Sequence, residues 1–140
     1  MSTKQTSKSS DNSAKDSILQ EDEVKRKLLR WLDKEGWQRV SVAMNKQHGA
    51  DIVVQRDNIQ WIIEVKGCGS RRPMRVNYFL AVLGEILQRM SKEHVKYSIA
   101  FPDMKQYRDL WEKLPRVAKQ RTKISVLFVE TNGHVTEIES

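Results

Sequence analysis

Cysteine is nearly missing from this chain. Cys68 is the single one among 140 residues, so no disulfide can form within it, and the expected setting is a reducing cytoplasm. Long apolar runs are missing too. None approaches the roughly 20 residues that a membrane-spanning helix needs, and no signal peptide is visible at the start, so no membrane partner is expected. Nor is there a GxxxxGK phosphate loop, a zinc-ligand spacing, an internal repeat or a Ser-His-Asp set, which turns the reading away from P-loop NTPases, zinc modules, solenoids and triad hydrolases. Acid is scarcer than base: 18 Asp and Glu stand against 25 Lys and Arg, a formal net charge of +7. Such an excess favours an acidic partner, nucleic acid first and an anionic membrane surface second.

What is present is organised around residues 48–67. Two apolar runs, 52–54 and 59–65, flank Asp57-Asn58, a pair that tolerates positive φ and suits a tight hairpin turn. With those two as the loop, Asp51 and Glu64 each lie six residues from the turn and face each other across the ladder. Side chains alternate along a strand, so Lys66 joins the acids on that side. Val53 and Ile62 share it, while Ile52, Val54, Trp61, Ile63 and Val65 point the other way, which implies a sheet covered on both faces. Acids directly opposite each other repel, by up to about 1 kcal/mol. A magnesium ion, which takes oxygen from one or two carboxylates plus water and phosphate, relieves that repulsion. The nearby lysine can orient a water or help deprotonate it. Read alone, Glu-x-Lys is an ordinary solvated strand end. The opposed aspartate and the apolar strands turn the reading towards a metal site.

Gly49-Ala50-Asp51, a strand–turn–strand, then Glu64-Val65-Lys66 resembles the signature of the PD-(D/E)xK, or restriction-endonuclease-like, nuclease superfamily, and the layout is similar to its small resolvase-like members. The likeness spans about residues 18–130, with Ala50 in the place of the superfamily's proline. It implies a magnesium- or manganese-dependent phosphodiesterase acting on DNA, with Asp51 and Glu64 holding metal and Lys66 positioning the attacking water. The superfamily also contains members that have lost activity, so the fold alone does not guarantee catalysis. Its first helix often supplies an additional acid. Glu21 is the candidate by phase, although the usual spacing to Gly36 lands on Lys25. Gln88 is a candidate supporting polar group on the helix after the motif.

The remaining elements follow from patterning. Residues 1–16 are polar and read as a disordered leader, and 17–140 as one domain. A Ser17/Gln20 capping box opens a helix over 18–34 that Gly36 closes, with Val24, Leu28, Trp31 and Leu32 facing inwards. A strand follows over 37–44, with Val40 and Val42 on one face. In the loop after the motif, glycines let a phosphate approach the backbone, and Arg71, Arg72 and Arg75 can pair with phosphates bidentately. The helix over 76–90 carries Val76, Phe79, Leu80, Leu83, Ile86, Leu87 and Met90 on one broad apolar face, which also suits a homodimer. A strand over 97–101, a helix capped by Asp103 and interrupted at Pro115, a strand over 124–130 and a short strand over 135–138 complete the chain. The order predicts an α/β domain with a mixed central β-sheet flanked by helices. The expected function is endonuclease-type phosphodiester cleavage. A catalytically silent DNA-binding or regulatory module, or an interaction subunit of a repair or defence complex, is the alternative.

Overall fold

The hairpin sets the architecture. In the computed structural model, which describes residues 19–44 and 48–140, Asp57 and Asn58 both take positive φ, 51° and 66°. Both central residues of a type I′ turn require this, and its twist matches that of the flanking strands. Strands β2 (Ile52–Arg56) and β3 (Ile59–Val65) pair antiparallel in the expected register, with Arg56 opposite Ile59 and Ile52 opposite Ile63. One further step outwards brings Asp51 to Glu64.

The sheet has six strands in the order β1-β2-β3-β4-β5-β6. β1 (Gln38–Val42), β2 and β3 form an antiparallel meander. β4 (Val95–Pro102) and β5 (Ser125–Val129) continue it parallel to β3, and β6 (Val135–Ile138) returns antiparallel. The parallel pairs require crossovers. Helix α2 (Arg72–Arg89) makes the first, and α3 (Lys105–Glu112) with α4 (Arg116–Thr122) makes the second. Helix α1 (Glu21–Lys34) precedes the sheet.

Both faces are covered. Val24, Leu28 and Leu32 of α1 pack on Ile52, Val54, Trp61, Ile63 and Val65. Phe79, Val82 and Ile86 of α2, with Tyr107 and Trp111 of α3, pack on Ile62, Ile99, Phe101 and Phe128. The mixed sheet between helices is the α/β arrangement that the sequence predicts.

Several details differ from expectation, each for a physical reason. Val40 is 52% exposed, because the pairing slips between Arg39 and Ser41 and leaves it as the extra residue of a β-bulge. Helix α2 starts at Arg72 rather than 76, since Pro73 sits in the first turn, where its missing N–H has no partner to lose. The inward line of α2 is Phe79, Val82 and Ile86, while Val76, Leu80 and Leu87 are exposed. The helix is rolled so that the Glu85–Arg89 flank turns to the end of β3, and this carries the opposite apolar flank into solvent. Asp103 caps no helix; it pairs with Arg108 at 2.6 Å, and Met104 is the residue before α3. Pro115 does divide α3 from α4, and Gly36, at φ +88°, follows α1 as a left-handed stop. The leader and the Ser17 cap lie outside the described residues.

Candidate functional site

Asp51 stands just before β2, where its side chain takes over the pairing towards β3 while its carbonyl still pairs on the β1 side. Its Oδ2 accepts a hydrogen bond from the Val65 amide at 2.8 Å, and its carbonyl accepts one from the Ala43 amide at 2.9 Å. Its Oδ1 lies 3.1 Å from Lys25 Nζ. Glu64, the last residue but one of β3, is 3% exposed. Burial pushes its carboxyl up from 4.5 to about 7, the neighbouring Asp51 charge adds to the rise, and the Arg89 guanidinium opposes it. The two acids thus meet, as the hairpin register implies.

Helix α2 answers the strand charge for charge. Successive same-face residues on a strand are about 6.6 Å apart, and residues four apart on a helix rise about 6 Å. Glu64 and Lys66 on the strand therefore match Arg89 and Glu85 on the helix, with opposite signs. Arg89 Nε donates to Glu64 Oε2 at 2.9 Å, and Lys66 Nζ to Glu85 Oε2 at 3.3 Å. The Lys66 ammonium also stands 5.8 Å from the centre of the Tyr78 ring.

Lys25, where the usual spacing lands, is the member to which sequence reasoning gave no role. It is 1% exposed, and its ammonium donates to the Ala43 carbonyl at 2.6 Å and pairs with Glu21 Oε2 and Asp51 Oδ1, both at 3.1 Å. Burial works against its charge, but the Asp51 and Glu21 carboxylates outweigh burial and hold it above its usual range. Its signal was visible: Lys25 lies on the same stripe as Leu28, Leu29 and Leu32, where a lysine must find acceptors. Arg89 was missed as well, and its spacing of four from Glu85 is the trace that could have found it.

The other candidates are placed as follows. Glu21 touches Lys25, and so reaches Asp51 only through that ammonium. Gln88 is exposed on the outer side of α2. Arg71 and Arg72 are exposed at the start of that helix. Arg75 is turned inwards: it donates to the Cys68 carbonyl at 2.9 Å and to Gln106 at 2.6 Å. It braces the loop after Lys66 rather than projecting from it. Tyr107 donates to the Gly67 carbonyl at 2.8 Å from below, and burial raises its phenol far above the ordinary value. Gly67 itself has no room for a side chain. A Cβ there would come within 2.7 Å of the Gln20 carbonyl carbon and closer still to the Glu21 nitrogen, while the Cys68 amide donates to the Leu19 carbonyl at 3.1 Å.

Among the described residues no three His, Cys, Asp or Glu side chains gather as a metal cage. The donor set is two carboxylates, which fits a hard ion that keeps water and phosphate in its remaining positions. Two roomy clefts, of about 610 and 740 Å³, open at the other end of the sheet around Val95 and Lys123, away from the acids.

No protein-family model matches the sequence, and no curated protein does. Solved structures do. The chain is similar to a fdxN element excision controlling factor protein from Anabaena variabilis, at 16% identity with a TM-score of 0.57, over 81% of this chain and 95% of that one. It is similar to an XisH family protein from Nostoc punctiforme at 16% identity and a TM-score of 0.56, over the same shares. The fold is restriction-endonuclease-like. No helix among the described residues is long and apolar enough to cross a membrane.

Proposed function

We propose that the chain is a metal-dependent phosphodiesterase of the PD-(D/E)xK type that acts on DNA. The observation that carries this reading is the meeting of Asp51 with the buried Glu64 beside Lys66. Asp51 and Glu64 would hold one magnesium or manganese ion. When bound, such an ion supplies an activated water and stabilises charge on the phosphate. The chain's own residues do the rest. Lys66, steadied by Glu85, directs the attacking water, and the Arg71 and Arg72 guanidiniums contact the phosphate backbone. Arg89, partly exposed, pairs with Glu64 and holds its carboxyl in place. A role in DNA processing accords with the excision control named for one structural neighbour, and the single cysteine accords with a cytoplasmic setting.

One observation favours a second reading, a silent DNA-binding module. Lys25 and Arg89 already pair both acids. Incubation of supercoiled, linear and branched DNA with the protein and manganese separates the two. Cleavage that disappears in Glu64→Gln and Lys66→Ala supports the enzyme. Binding without cleavage by the parent protein sinks it and leaves the module.

A further inference from the structure

Lys25 has an environment more specific than a core lysine needs. Its three N–H donors meet three oxygens, from the Glu21 carboxylate, the Asp51 carboxylate and the Ala43 carbonyl, at 2.6 to 3.1 Å. Two carboxylates and a carbonyl are the oxygen set that hard cations choose, yet at 1% exposure neither water nor an ion can enter beside the ammonium. Asp51 is committed on this side, with Oδ1 to Lys25 and Oδ2 to the Val65 amide. What remains open lies towards Glu64.

We propose that the Lys25 ammonium is the site's built-in second cation, occupying the oxygen-lined place between Glu21, Asp51 and Ala43, so that the site takes one divalent ion per chain and not two. Lys25 is a positioning residue in this scheme. It fixes Asp51 for the single ion and keeps Glu21 out of the ligand set. The position one turn earlier supplies an acid, but the position facing the site supplies the counter-charge. The inference rests on the metal-dependent reading above, and its test separates the two.

The experiment counts manganese bound per chain by the electron paramagnetic resonance signal of the free ion, in the parent protein, Lys25→Ala, Lys25→Arg and Glu64→Gln. The expected result is one ion for the parent and for Lys25→Arg, two for Lys25→Ala, and a much weakened single site for Glu64→Gln. Two ions in the parent would overturn the proposal. So would one ion in a folded Lys25→Ala protein, while leaving the Asp51–Glu64 site standing. No ion in the parent removes the metal-dependent reading itself, and the inference with it. If Lys25→Ala is unfolded in chelator, manganese that enters the emptied place should restore its circular dichroism; failure to do so at saturating manganese also counts against Lys25 as a stand-in.

Discussion

Glu64 ties the stability of the metal-free protein to pH in an unusual direction. Most carboxylates that are paired in a folded protein favour folding as pH rises. Glu64 does the reverse, because its folded carboxyl holds its proton up to about pH 7 against 4.5 when free. The folded state therefore binds the proton more tightly than the unfolded chain. Its contribution is full below 4.5 and is lost as pH climbs through 7. Each tenfold in proton affinity is worth about 1.4 kcal/mol, so the loss is on the order of 3 kcal/mol across that window. Glu64→Gln keeps the shape and cannot ionise. Urea unfolding of parent and variant in chelator, at steps between pH 4 and pH 8, isolates the titration of Glu64 and its coupling to Asp51, since groups that do not touch Glu64 cancel in the difference. The variant should gain on the parent by about 3 kcal/mol between the ends of that range, with most of the gain between 4.5 and 7. Manganese at a concentration that just saturates the parent should shrink the gap at pH 8, because it stabilises the parent more than the weaker-binding variant. A difference that stays flat with pH would refute the claim that the two acids share a buried site.

Arg71→Ala with Arg72→Ala should weaken binding to all DNA sequences alike and lower the slope of log affinity against log salt by about 1.8, at about 0.9 per lost phosphate contact. An unchanged slope would take these arginines off the DNA; Arg75→Ala should instead loosen the loop and leave the slope in place. If two copies pair through the exposed Val76, Leu80 and Leu87 of α2, sedimentation velocity should show a dimer that Leu80→Glu returns to monomer. A parent protein monomeric at tens of micromolar would dispose of that face.

The hairpin was legible in the sequence because its information is local. A two-residue loop that needs positive φ at both positions leaves one pairing, and that pairing alone put Asp51 opposite Glu64. The two-sided sheet was legible from Ile62 alternating with Trp61 and Ile63. For the partners of the acids only traces were legible, the stripe position of Lys25 and the Glu85–Arg89 spacing, and not which acid each would meet. Lys25 and Arg89 come from helices on opposite faces of the sheet, and how far each helix rolls is a matter of packing, not of spacing along one element. The same roll explains α2, whose apolar residues outnumber the places the sheet has for them, so periodicity named Val76, Leu80 and Leu87 as core where the structure exposes them. Arg75 shows a different limit, since composition counts a charge without saying whether it faces solvent or a carbonyl.

The backbone contact at Gly67 has a consequence in time. A helix of 14 residues is marginal on its own in water, and α1 is seated by Val24, Leu28 and Leu32 on the sheet and by Gln20 and Glu21 against Gly67, across a loop of more than forty residues. That closure entropy must be met by the hairpin and β3 already in place. Helix α1 is thus expected to join after the hairpin, and Lys25 arrives with it. The Cys68 amide, donated to Leu19, is the local clock: native-state hydrogen exchange at that one position should report each opening in which the segment leading into α1 parts from Gly67.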